Sequence, residues 1–176
     1  MKKVFLSVMI VLFAFTGFSQ KYAYINSEYI LSNMPEYKEA QAELDRVAVQ
    51  WQREIEAKFA SIDSMYRKYQ VEAITMPDQI KKNREEAIIA QERAAKELQK
   101  KRFGQDGDLF KKREELVKPI QDRVISTVND YAKERGFAFV FDTAGEMSII
   151  YADPKWDINA VILQKLGISV DTELDD

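Results

Sequence analysis

Ala73-Ile74-Thr75-Met76-Pro77-Asp78 is the stretch on which the reading of this chain turns. Pro77 suits the first turn of a helix, Thr75 can cap it, and the Asp78 carboxylate favours a helix N-terminus. A helix therefore starts here, directly after another has ended, and the chain reverses.

Upstream, residues 36–74 contain neither glycine nor proline. Apolar positions recur at Leu44, Val47, Trp51, Ile55, Phe59, Ile62, Tyr66, Tyr69 and Ala73, eight steps across 29 residues. That spacing of about 3.6 is the α-helical period. Downstream, the pattern predicts one helix from about Pro77 to Arg135, ending at Gly136 with Lys133 and Arg135 in its last turn. Gly104 and Gly107 each weaken that helix by about 1 kcal/mol relative to alanine. Pro119 removes one backbone hydrogen bond and kinks the axis. These three residues are the candidate hinges.

Folding at residues 75–78 sets Ile62 opposite Ala90, Phe59 opposite Ala94, Ile55 opposite Leu98 and Leu44 opposite Leu109. Large side chains meet small ones, as close helix packing requires. The same register puts Glu36 beside Leu116 and Trp51 level with Lys101 and Arg102, where a cation–π contact is available. The expected arm, residues 36–118, is an antiparallel hairpin of roughly 60 Å at 1.5 Å per residue. It is expected to project beyond a small body. Near its tip Arg67 and Lys68 come level with Lys81, Lys82 and Arg84, a basic patch suited to acidic partners or membrane headgroups. The alternative is a solvated helix surface. Trp51, Tyr66 and Tyr69 are candidates for apolar partner contact, or for the core of the hairpin.

The flanks, residues 20–35 and 119–170, read as the body. Residues 21–25 form a short aromatic strand, and a brief helix covers about 27–33. Two more strands are predicted at 137–142 and 147–151. Asp157 caps a last helix over 158–166, stopped by Gly167, and an acidic tail follows at 171–176. Phe137, Phe139 and Phe141 share one strand face; Ala138 and Val140 share the other. A three-stranded sheet that is apolar on both faces has more surface than one short helix and the hairpin base can cover. Self-association through Tyr24, Ile25, Phe137, Phe139, Val140, Phe141, Ile149 and Ile150 would bury it. The fold class is thus α+β, predominantly helical, with a helical hairpin on a small strand-built body that oligomerises.

The first nineteen residues lie outside this fold. Lys2-Lys3, an apolar run over 4–15 and Gly17-Phe18-Ser19 form an export leader with its cleavage pattern. The apolar run is too short for a membrane span, which needs roughly 20 residues. The remainder is expected to be exported and soluble. Loss of Lys2 and Lys3 leaves 24 basic and 29 acidic side chains, net −5. That balance disfavours general nucleic-acid binding, which depends on neutralising phosphates. There is no cysteine and no histidine. Ser-His-Asp and Cys-His nucleophiles are impossible, and so are histidine-bearing zinc sites. The acids alternate with lysines along helices instead of clustering, so neither enzyme chemistry nor a cofactor is expected.

The order of segments resembles the OmpH/Skp family of periplasmic chaperones. The resemblance lies in Tyr22-Ala-Tyr-Ile-Asn-Ser-Glu-Tyr-Ile-Leu31 and in Pro35-Glu-Tyr-Lys-Glu-Ala40. It continues in Tyr131-Ala-Lys-Glu-Arg-Gly-Phe137 and in Tyr151-Ala-Asp-Pro154 ahead of Asp157-Ile-Asn159. It implies a homotrimer whose strands form a small β-barrel, with helical arms around a cavity. Unfolded outer-membrane proteins would be held there without ATP before membrane insertion. The chain departs from the basic members of that family in being net acidic, which weighs against lipopolysaccharide or anionic-membrane affinity. The rival reading is a structural adaptor or spacer of the envelope, which would bind one folded partner.

Overall fold

The computed structural model of the protein describes residues 20–145 and 149–169. The expected leader at 1–19 and the acidic tail at 171–176 lie outside the described residues. In order come β1 (Lys21–Ile25), α1 (Ser27–Ser32), α2 (Pro35–Glu72), α3 (Asp78–Phe103), α4 (Asp108–Arg135) and β2 (Phe137–Asp142). A 3-10 turn (Pro154–Trp156) and α5 (Asn159–Lys165) complete the chain. It divides into two compact units, one running Leu31–Arg123 and the other joining residues up to Ile30 with those from Val124 onward.

In the first unit, α2 and α3 pack antiparallel through a seam of widely spaced apolar residues. Ile62, Ile88 and Ala95 form one buried cluster, edged by Phe59, Met65 and Tyr69. Ala40, Leu44 and Val117 form a second, edged by Tyr37, Leu109, Leu116 and Ile120. Pro35 opens α2, where its missing N–H costs nothing. At the other end the Thr75 N–H and hydroxyl both donate to the Glu72 carbonyl, at 3.1 and 3.2 Å. Thr75 therefore closes the outgoing helix and does not cap the returning one, whose N-cap is Pro77 without any side-chain bond.

The single return helix expected from Pro77 to Arg135 is two helices. Gly104 adopts an extended conformation (φ −65°, ψ 171°) and ends α3. Gly107 donates to the Gly104 carbonyl at 2.9 Å and starts α4 by accepting from Lys111 at 3.1 Å. A Cβ on Gly107 would lie 2.8 Å from the Lys101 carbonyl oxygen and 2.9 Å from that of Arg102. Only glycine fits so tight a reversal against backbone. Counting the two glycines as separate weak points missed their joint effect. Pro119, in contrast, is carried inside α4 without interruption. Because the break takes up chain, Glu36 pairs with Arg123 and not beside Leu116.

In the second unit, β1 and β2 are parallel neighbours, with Tyr22 opposite Phe139, Ala23 opposite Val140 and Tyr24 opposite Phe141. Gly136, at φ +69°, ends α4 and turns the chain directly into β2. Ala23 and Ile25 are buried, as are Ile30, Val124, Val128, Tyr131, Ile158, Ile162 and Leu163 of the same unit. The Asp157 carboxylate accepts from the Asn159 N–H at 2.7 Å, and Gly167 (φ +82°) ends α5. Lys165 ties α5 to α4 through Glu134 at 2.9 Å and lies 5.3 Å over the Tyr131 ring.

The third strand expected over 147–151 is not formed in its described part, 149–151. Residues 147 and 148 lie outside the described residues. The Asp142 carboxylate accepts from the Ser27 and Ala144 N–H groups, each at 3.0 Å. Thr143 donates to the Ile25 carbonyl at 2.8 Å. These bonds hold residues 142–144 beside the end of β1 and the start of α1, and the chain bends at 143–145. Burial pushes the Asp142 carboxyl up, but the hydrogen bonds from Ser27 and Ala144 outweigh it and hold the group below its ordinary value.

Candidate functional site

Three surfaces carry the expected contact residues. The first is the end of the hairpin, where α2 turns into α3. Arg67 pairs with Asp63, Arg84 with Glu72 at 3.0 Å, and Lys82 with Glu86 at 4.0 Å. Of the five cations expected there, Lys68 and Lys81 make no ion pair among the described residues. The patch is thus less basic than its composition implies. Its most exposed feature is aliphatic: Ile74 is 90% and Val71 78% exposed. Neither stood out in the sequence, because Ile74 reads as the last residue of a helix and Val71 lies two residues from the seam positions Tyr69 and Ala73.

The three aromatic candidates separate. Tyr66 is exposed, whereas Tyr69 packs on the Ile62 cluster and donates its hydroxyl to Glu85. That bond pushes the Tyr69 phenol up to about 12 from its ordinary 10.0. The sign follows from linkage. The stabilisation is whole below pH of about 10, the unfolded value, and disappears as pH passes the folded value. In an ultraviolet titration, Tyr69→Phe is expected to remove a component that rises only above pH of about 11. Glu85→Ala should shift that component down towards the other tyrosines. An unchanged titration in both variants would show that the contact is absent in solution.

Trp51 sits at the second surface, opposite the helix break. The Arg102 guanidinium lies 4.5 Å over its ring, as the register suggested, and Phe103 meets it edge-on at 6.4 Å. Arg102 also pairs with Asp108 at 2.7 Å and Glu54 at 3.7 Å, so one side chain links α2, α3 and α4. Trp51 is half-buried under this cover, with only part of its ring accessible.

The third surface belongs to the strand-bearing unit. Tyr22, Phe139 and Phe141 stack in a ladder, with ring centroids 6.0 Å apart for Tyr22–Phe139 and 6.3 Å for Phe139–Phe141. Phe139 is 57% exposed. Beside the ladder is a groove of about 390 Å³ lined by Tyr22, Tyr24, Phe141, Ile149, Tyr151 and Trp156, among others. Of the residues expected on this body, Ile25 is buried and Ile150 fully exposed, while Tyr24, Val140 and Ile149 are half-buried. Phe137 turns instead towards Tyr131, 6.1 Å away. Tyr22, Tyr151 and Trp156 were missed. A strand's alternation marks a face, but residues brought in from a distant loop leave no periodic signal. Burial, joined by the negative charges of Asp157 and Asp153, pushes the Tyr24 phenol up.

None of these surfaces is an enclosed polar site. Among the described residues no three acidic, cysteine or histidine side chains group as metal ligands, and no helix is long and apolar enough to cross a membrane.

Comparison with known proteins places this arrangement. The chain is 28% identical, over 94% of its length and 96% of the other's, to an uncharacterized protein of Aquifex aeolicus (strain VF5). Its fold is similar to the crystal structure of a candidate outer membrane chaperone (OmpH-like) from Caulobacter crescentus CB15. That match has a TM-score of 0.69 at 12% identity and covers 88% of this chain and 94% of that one. The family model described as outer membrane protein (OmpH-like) matches residues 21–166, which takes in both compact units. The chain therefore belongs to the OmpH-like family of outer membrane proteins.

Proposed function

We propose that the protein is an ATP-independent holding chaperone of the periplasm, which keeps unfolded outer-membrane proteins from aggregating before insertion. The observation that carries this reading is the family match across residues 21–166, and that family is non-enzymatic. In this reading the paired helices of residues 36–118 are an arm, and the strand-bearing unit joins three copies through its exposed aromatic ladder. Clients are held by many weak contacts across several arms, so avidity replaces a specific pocket. Release needs no fuel where the client's own folding in the membrane is more favourable. The break at Gly104 and Gly107 lets the arms adjust to clients of different size.

The test is to dilute a denatured outer-membrane β-barrel protein into buffer with the purified chaperone and to follow light scattering. Near-stoichiometric protein is expected to suppress aggregation, and to do so for several unrelated barrels without ATP. Aggregation as fast as in buffer alone would sink the reading. Binding to one folded partner only would favour an envelope spacer.

A further inference from the structure

Between the two apolar clusters of the hairpin, at the level of Trp51, the seam carries charge. Arg102 is the last residue but one of α3, and its guanidinium meets all three helices of this unit's seam. It lies 4.5 Å over the Trp51 ring, pairs with Glu54 of α2 at 3.7 Å and with Asp108 of α4 at 2.7 Å. A planar guanidinium can stack on an indole and still reach two carboxylates, which a lysine ammonium cannot. α2 runs through this level unbroken, whereas the return chain is interrupted at residues 104–107. Freedom to move therefore belongs to the return chain. Closing the contact has a cost. The Arg102 Nε is buried without a hydrogen-bond partner among the described residues, so its N–H gives up water for nothing. Opening restores that hydration. Asp108, in the first turn of α4, keeps the favourable field of the helix N-terminus when its partner leaves.

We propose that Arg102 is a latch, which sets the angle between α3 and α4 and covers Trp51 in the same act. Closed, the guanidinium ties α3 and α4 to α2 and shields the face of the indole. Open, the last turn of α3 swings about the Gly104–Gly107 break, and the Trp51 ring becomes accessible. The two events are coupled because one side chain makes both contacts. The apolar clusters around Leu44 and Ile62 lie to either side and keep α2 on the return chain while the latch opens. The glycines supply the freedom, and Arg102 decides when it is used.

The latch goes beyond the holding activity proposed above, and its test needs no client, so the two readings fail separately. The chain has no cysteine, so a pair of spin labels can be placed on the full chain, at Lys96→Cys in α3 and Glu114→Cys in α4. Both positions are exposed and lie in the same compact unit. Trp156→Phe leaves Trp51 as the remaining tryptophan, whose quenching by acrylamide reports its cover. With the latch intact, one narrow distance distribution and weak quenching are expected. Arg102→Ala should raise the open population about tenfold, seen as a second distance and as stronger quenching. Asp108→Asn removes the tie to α4 but leaves Arg102 and Trp51 in place. It should nevertheless raise both signals, because the latch couples them. Far-ultraviolet circular dichroism reports folding, and should Arg102→Ala lose helix, the near-isosteric Asp108→Asn decides alone. Unchanged distances in Asp108→Asn overturn the proposal. New distances there with Trp51 still shielded also overturn it, since the angle and the cover would then be independent.

Discussion

Phe139→Asp is expected to leave the protein as single chains and to remove its holding activity, with helix content unchanged. Phe139 stacks on both Tyr22 and Phe141, which also meet each other at 6.4 Å, and is 57% exposed in one chain. In an isolated subunit a carboxylate there stays hydrated, and surface changes of this kind alter stability by about 0.5 kcal/mol or less. Buried between copies it would lose its water without gaining a partner, which costs several kcal/mol at each subunit contact. Stability and assembly thus respond in opposite ways, which separates this variant from a simple folding defect. Native mass and suppression of β-barrel aggregation read the result. If the variant keeps the mass of the unaltered protein, the aromatic ladder is not the surface through which copies meet.

Ile162→Ala is expected to produce the largest loss of folding stability, about 2–5 kcal/mol. Ile162 and Leu163 are both 0% exposed, and α5 that carries them is only seven residues long. A helix so short has no stability of its own and exists because its apolar side chains are buried. Removing three carbons leaves a cavity that this well-filled unit cannot fully close. Urea unfolding followed by circular dichroism measures the loss. Ile162→Val, which deletes one methyl group, should cost about 0.5–1.5 kcal/mol. Equal effects from the two substitutions would mean that α5 does not depend on that contact.

Much of the fold was legible because its signals are local. An unbroken run of residues at the helical period, followed by Pro77 and Asp78, is enough to predict two helices and a reversal. Gly136 and Gly167 both take the positive φ expected at helix ends. The cation–π contact of Arg102 with Trp51 followed from register alone. What failed involved cooperation between residues. Gly104 and Gly107 break the helix together, since Gly107 folds back against the Lys101 and Arg102 carbonyls. Thr75 had two helix ends within reach and bonds to the earlier one.

The candidate surfaces were legible as residue types and much less so as environments. Five cations at the hairpin end were countable, but not that Asp63, Glu72 and Glu86 pair with three of them. Tyr66 and Tyr69 look equivalent in the chain, yet one is exposed and the other is held by Glu85 and the Ile62 cluster.

By itself the amino-acid order determined the helical hairpin, the short strands at its flanks and the absence of cysteine and histidine chemistry. These depend on periodicity, capping and composition, which act between residues close in the chain. Tertiary structure alone decided that β1 lies parallel to β2, that Tyr22 joins Phe139 and Phe141, and that Val71 and Ile74 remain uncovered. Each of those outcomes depends on which distant segments come together to exclude water, and no local pattern encodes that choice.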